Sequence, residues 1–283
     1  MKDLQSAPDA REVALDHVGV RDLRCPIVVL DQNSGTQSTV ATVSMSVDLP
    51  HHFRGTHMSR FIEVLERHRG ELTMRTLPAL LADLRARLQA ERARVEVRFP
   101  YFLQRTAPVS RSVALMDYEC WFVGEMTGAG HDFMLGVEVP VTSLCPCSKA
   151  ISDYGAHNQR GHVVVEIRSA RTGQPPAIVW IEEIIEIAER SASAPVYPLL
   201  KRVDERHVTM QAYDNPRFVE DIVRDVSVSL RADARITWYR VEATNQESIH
   251  NHNAYASAAW SRIEEKKSAT GTNARAQTVV AAS

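Results

Sequence analysis

The sequence predicts an α+β fold built from two similar modules, each an antiparallel sheet carrying a pair of helices. Three observations predict it. Several stretches alternate strictly between apolar and polar residues. Others place apolar residues at helical spacing, and the order of strands and helices then recurs in the second half without any repeat of the sequence itself.

Residues 39–49, "TVATVSMSVDL", point Val43, Met45, Val47 and Leu49 one way and Thr42, Ser44, Ser46 and Asp48 the other, the pattern of a half-buried strand. The period then changes. Met58, Phe61, Ile62 and Leu65 share one helical face, with Thr56 as the expected N-cap and Gly70 as the stop. A second helix is expected over 76–92, with Leu77, Leu80, Leu81, Leu84 and Leu88 on one face. "ARVEVRF" and "RSVALMDYECWFVGEM" return to strand alternation.

In the second half, "HDFMLGVEVPVT" and "GHVVVEIRS" read as strands around the segment "LCPCSKAISDYGAHNQRGH". "AIVWIEEIIEIAERSAS" reads as a helix whose Glu182, Glu183, Glu186 and Glu189 form a solvated face. "NPRFVEDIVRDVSVSL" reads as another, opened by Asn215 as cap and Pro216 at the first helical position. "LLKRVDERHVTM" between them reads as irregular, and "ARITWYRVEAT" as a strand. The expected division is an N-terminal module over 1–130, a C-terminal module over 131–265 and a disordered tail over 266–283.

Composition narrows the function. Hydrophobic residues at 44% and charged residues at 24% describe an ordinary globular protein. A formal net charge of -2 advertises no field for nucleic acid or a membrane surface, so any anionic ligand must be met by a local cluster. No stretch approaches the roughly 18 apolar residues of a bilayer span, and the charged N-terminus lacks the apolar run of a secretory signal. The expected location is the cytoplasm. There structural disulfides are disfavoured, and Cys25 and Cys120 are expected to be small core residues.

Cys145 and Cys147 are different, because histidines follow them within the same segment. A C-x-C is neither a zinc knuckle nor a thioredoxin-like pair, and no second cysteine pair exists to complete a four-thiolate site. One thiolate joined by histidine and carboxylate fits instead, and a mixed set with an open position suits a catalytic metal. The candidates are His157 and His162 beside the cysteines, Glu205 and His207, and His250 and His252 in "ESIHNHNAYA". Glu220 stands at a helix start, where the macrodipole favours a carboxylate for structural reasons alone. His51, His52 and His57 offer donors to an anion or simple surface roles. From the residues, the reading stops at an α+β protein with a thiolate–histidine–carboxylate site in its second half.

The motifs "LCPCSKAISDYGAHNQRG", "KRVDERHVTMQAYDNPRFVEDIVR", "ESIHNHNAYA" and "RGTHMSRF", four separate, long motifs in the right order, together resemble those of the type IB GTP cyclohydrolases of the tunnelling-fold family. The resemblance spans about residue 13 to about residue 262. It implies a tunnelling fold, two tandem modules whose sheets assemble into β-barrels in a homotetramer. It implies the conversion of GTP and water to 7,8-dihydroneopterin triphosphate and formate, opening folate and in some organisms 7-deazaguanine biosynthesis. It also implies a divalent metal ion, with manganese, zinc and iron all admissible.

Position by position, the resemblance implies that Cys145 is a metal ligand and catalytically essential, with His157 and Glu205 completing the metal set. His250 is implied as a further ligand or proton donor and Glu220 as the anchor of the guanine edge, which replaces the structural reading of Glu220. Lys149, Arg202, Arg160 and Lys201 are expected around the triphosphate, with Arg54, His57 and Arg60 contributed by a neighbouring subunit. Cys147 is expected beside the site and not in it. Two other readings stand next to this one. A tunnelling-fold nitrile reductase would use a cysteine thioimide and NADPH, but its E-S-[KL]-[SA]-x-K motif is replaced here by "ESIHNH". A non-catalytic metal-binding assembly would show a closed set of four ligands.

Overall fold

A computed structural model describes residues 5, 9–169 and 178–262. Among these residues the chain forms nine strands and six α-helices, divided between two compact units. The expected tail over 266–283 lies outside the described residues.

The first unit comprises Met1–Phe102 and Asp117–Gly136. Strands β1 (Leu15–Asp31) and β2 (Gly35–Leu49) form a long antiparallel hairpin. Its turn is built by Asp31, whose Oδ1 accepts the N–H groups of Asn33 at 2.9 Å and Ser34 at 2.7 Å. Burial alone would raise the Asp31 carboxyl, but these bonds and one from the Tyr101 hydroxyl outweigh it and hold the group below the usual range.

The β2 alternation appears as expected. Val43, Met45 and Val47 pair with Val97, Val95 and Ala93 of β3 (Ala93–Thr106), so each cross-strand pair buries apolar surface on one face. On the other face Ser44 opposes Glu96 and Ser46 opposes Arg94. That polar face lines a cavity of about 780 Å³ with His17, Arg21, Arg94, Glu96 and Arg98. Glu96 and Glu125 pair with its arginines.

Helices α1 (Met58–Arg67) and α2 (Leu77–Leu88) bury Phe61, Val64 and Leu65, and Leu77, Leu80, Leu81 and Leu84. The N-cap of α1 is His57; Thr56 is buried one residue earlier and makes no cap. Strand β4 (Val113–Thr127) brings Gly124 against Leu77 and Leu81. Strand β5 (Gly130–Leu144) follows, and at its Gly136 an added Cβ would lie 2.0 Å from the Trp121 indole. Of the two expected core cysteines, Cys120 is fully buried and Cys25 only half-buried.

The second unit comprises Leu103–Met116 and Val137–Ser283. A short helix α3 (Pro146–Ile151) follows β5, and strand β6 (Asn158–Ser169) returns. Helix α4 (Ile181–Ser191), the two-residue strand β7 (Ala194–Pro195), helices α5 (Arg202–Asp214) and α6 (Val219–Ala232), and strands β8 (Ile236–Asn245) and β9 (Ala254–Ser261) complete it. The strand order here is β5-β6-β8-β9, with β7 beside β5. Helix α6 buries Val219, Ile222, Val223, Val226 and Leu230 at helical spacing, while α4 buries Ile181, Ile184, Ile185 and Ala188.

Three local expectations are corrected. Residues 202–214 are a helix and not an irregular stretch. Asn215 closes α5 and does not open α6: its side-chain amide donates to the carbonyls of Ala192 at 2.9 Å and Ser193 at 3.3 Å. Pro216 lies in the link, and Asp221 caps α6 by accepting the Phe218 N–H at 3.1 Å. Nor is the acidic face of α4 uniformly solvated. Glu189 is buried and meets Arg105 at 2.5 Å, and Glu183 accepts the Trp180 N–H at 2.9 Å while pairing with Arg235.

Candidate active site

The register of β6 against β8 places Gly161 opposite Asn245. Because the pair is antiparallel, residues before 161 run alongside residues after 245. The Gln246 N–H donates to the Arg160 carbonyl at 2.9 Å, so the pairing extends one step into the loop 246–253. One step further, Gln159 meets Glu247, and beyond it His157 meets His250 with ring centroids 6.4 Å apart and planes nearly perpendicular. His252 stacks on His250 at 5.1 Å.

The C-x-C enters from the neighbouring strand. Cys145, just past β5, donates its backbone N–H to the His157 carbonyl at 3.1 Å. It is also the N-cap of α3, its Sγ accepting the Ser148 N–H at 3.4 Å. Pro146 at the first helical position lacks only a donor that would be unpaired there. The Ser148 hydroxyl accepts the His157 N–H at 3.2 Å, so the backbone of His157 is tied to this segment at both its polar groups. Cys145 is half-buried and Cys147 exposed.

Beneath these groups lies a buried polar support. The Leu144 N–H donates to Ser193 Oγ at 3.0 Å, Asn245 Nδ2 to Ser143 Oγ at 3.0 Å, and Ser143 Oγ to the Arg217 carbonyl at 3.1 Å. The Arg217 N–H reaches the Leu144 carbonyl at 3.0 Å. These linked hydrogen bonds, formed in a low-dielectric setting, hold the end of β5 stiffly.

The other expected residues take separate positions. Glu205 is exposed on the first turn of α5, and its neighbour Asp204 does the structural work. Asp204 is fully buried and accepts the N–H groups of Val109 at 2.8 Å, Ser110 at 2.7 Å and Lys201 at 2.9 Å. Burial would raise its carboxyl, but the bonds from Ser110, Lys201 and Val109 prevail and hold it well below the usual aspartate range. Arg202 and His207 are exposed on the same helix, and Lys201 is exposed just before it. Glu220 is exposed on the first turn of α6. Lys149 donates to the Tyr213 carbonyl and lies 4.2 Å from the Tyr213 ring centroid. Arg160 is exposed on β6, and His162 pairs with Glu138 at 2.8 Å. Arg54 is exposed in the first unit, as is the His51–His52 pair.

The structure therefore brings Cys145, His157 and His250 to one end of the second unit's sheet. Among the described residues, no group of three or more His, Cys, Asp or Glu side chains stands close enough to hold a metal ion. Cys145, His157 and Glu205 are thus not assembled as a trio within the described chain. Sequence reasoning missed Gln159 and Glu247, which carry no spacing signature and become visible only through the ladder.

The backbone resembles two solved uricases. One, from Arthrobacter globiformis, aligns with a TM-score of 0.53 at 11% identity over 87% of this chain and 93% of that one. The other, from Bacillus fastidious, has a TM-score of 0.53 at 10% identity over 90% and 96%. At such identity the likeness concerns the fold alone, an antiparallel sheet with paired helices of the tunnelling-fold class. Sequence comparison goes further. Residues 1–256 match the family described as type I GTP cyclohydrolase folE2. The GTP cyclohydrolase FolE2 of Syntrophotalea carbinolica is 54% identical over 256 residues, covering 90% of this chain and 94% of the relative. That of Nitrosococcus oceani is 52% identical over 256 residues with the same coverage. The chain belongs to the type I GTP cyclohydrolase folE2 family. Among the described residues no helix is long and apolar enough to cross a membrane.

Proposed function

We propose that this protein is a metal-dependent GTP cyclohydrolase of type IB, hydrolysing GTP to 7,8-dihydroneopterin triphosphate and formate. The observation that carries the reading is the convergence of Cys145, His157 and His250 at one sheet end in a chain of this family.

The donor set suits a divalent ion. Cys145 offers a half-buried thiol, and His157 has Nδ1 engaged with Gln159 at 2.9 Å, which leaves Nε2 for a ligand. Cys145 and His157 would hold the ion, and Glu205, which stands apart from them on the outer first turn of α5, would have to be brought to it as the carboxylate donor. Such an ion supplies Lewis acidity, activating water for attack at neutral pH.

The protein's own groups do the rest. His250 stands beside His157 and has the side-chain type that can give a proton to N7 as the guanine five-membered ring opens. Glu220 accepts hydrogen bonds from guanine N1–H and the exocyclic amine, an arrangement adenine cannot match. Lys149, Arg202 and Arg160 meet the triphosphate, and arginines can do so with two parallel bonds. We place the active assembly as a homotetramer in the cytoplasm, without nucleic-acid or membrane partners, and its product in folate or 7-deazaguanine synthesis.

The test is metal-free protein incubated with GTP, with and without Mn²⁺, Zn²⁺ or Fe²⁺ under reducing conditions, following pterin fluorescence after mild oxidation. Metal-dependent pterin is expected. Folded, metal-loaded protein that yields none with any of the three ions overturns the reading.

A further inference from the structure

We propose that Gln159 and Glu247 are positioning residues that fix the tautomer of His157. The inference rests on the metal reading above only for its purpose; the chemistry of the chain of bonds stands by itself. Glu247 has two oxygens, and as a carboxylate it can only accept hydrogen bonds. The group facing it is the side-chain amide of Gln159, with Nε2 3.5 Å from Glu247 Oε1. A carboxylate requires the NH₂ end of that amide, so Gln159 must turn its Oε1 the other way, toward His157 Nδ1 at 2.9 Å. An amide oxygen is also acceptor-only, which obliges Nδ1 to carry the proton. In a neutral imidazole the lone pair then belongs to Nε2. The second oxygen of Glu247, 3.9 Å from Nδ1, adds its charge in the same sense.

Burial makes this relay directional. Gln159 is 8% exposed, and the His157 and Glu247 side chains are 12% and 11% exposed, so water competes little for these groups. The backbone of His157 is already pinned by Cys145 and Ser148, so the ring's orientation and its proton placement are what remain for Gln159 to set. The relay also gives a role to Gln159 and Glu247, which lie in the same two motifs as His157 and His250. Glu247 reaches Gln159 because the β6–β8 register continues past Gly161 and Asn245.

The experiment reads proton placement directly. ¹⁵N-histidine spectra of the metal-free full-length protein at neutral pH distinguish a protonated Nδ1 from a protonated Nε2 for His157, assigned by its absence in His157→Ala. Alongside, Co²⁺ affinity is titrated by its thiolate absorption band. Wild-type protein is expected to show Nδ1–H. Gln159→Leu is expected to move population to Nε2–H and to weaken Co²⁺ binding by about 10- to 100-fold.

The combined exchange Q159E/E247Q keeps the direction of the relay. The carboxylate placed at 159 accepts from Nδ1 and from the amide placed at 247, so tautomer and affinity return to within about threefold of wild type. A packing role alone predicts no such rescue. Wild-type His157 found as Nε2–H, Gln159→Leu with unchanged tautomer and affinity, or an exchange variant binding as weakly as Gln159→Leu would each overturn the proposal. Wild-type protein that holds Nδ1–H yet binds no Co²⁺ supports the positioning role and sinks the metal reading instead.

Discussion

Cys145 and His157 are joined through their main chains, N–H to carbonyl at 3.1 Å, so the two side chains are neighbours whatever the thiol does. The link separates structure from chemistry at this site. Cys145→Ala loses the Ser148 cap, a loss of about 1 kcal/mol. It keeps the backbone bond and the support from Ser143, Ser193 and Asn245. The variant should fold with a melting temperature only a few degrees lower and form pterin at under about 1% of the wild-type rate, a larger loss than a ligand's outer partner would cause. A fluorescence assay beside thermal melts checks both halves.

Asp204 makes stability depend on acid. Its folded carboxyl lies below the ordinary value of 3.8, so the unfolded chain takes up the proton first as pH falls. The stabilisation is complete above about pH 4 and is lost as pH drops through the folded value. Urea midpoints should therefore fall steeply below pH 4 in wild type. Asp204→Asn should start lower at pH 7 and decline less between pH 4 and pH 2. Parallel slopes in the two proteins would contradict this.

Glu189 and Arg105 form a pair that one-sided truncation should expose. Removing Arg105 leaves a carboxylate at 7% exposure without its cation, a destabilisation of about 3–5 kcal/mol. Arg105→Met with Glu189→Leu should be closer to wild type than Arg105→Met alone. A double-mutant cycle by urea unfolding measures the coupling.

At Gly136, the Trp121 ring occupies the space of a side chain. Gly136→Ala must displace the indole, at about 1–3 kcal/mol or more. A lowered melting temperature with a red-shifted tryptophan emission is the expected signature.

The sequence disclosed elements wherever one face is apolar. The alternation in β2 and the leucines of α2 were legible because burial alone dictates them. Helix α5 was not: of its thirteen residues only Asp204 and Ala212 are buried, so it carries no apolar stripe. Asn215 and Pro216 form a good start signal, but the amide finds two carbonyls beyond α4, a tertiary choice that local chemistry does not reveal. The site was half visible. Cys145, His157 and His250 are conspicuous residue types, whereas Gln159 becomes meaningful only when the chain just past β8 brings Glu247, 88 residues away, to it.

The β6–β8 ladder acts as a ruler for this chemistry. A slip of one residue would carry Gln159 to the opposite face from its partner and invert the whole strand with it. Loop 246–253 can therefore vary in its exposed positions, such as Ile249, without disturbing the alignment, while a single insertion inside either strand would erase it. Anyone transplanting this centre into another scaffold has to copy the spacing of two strands before copying any side chain.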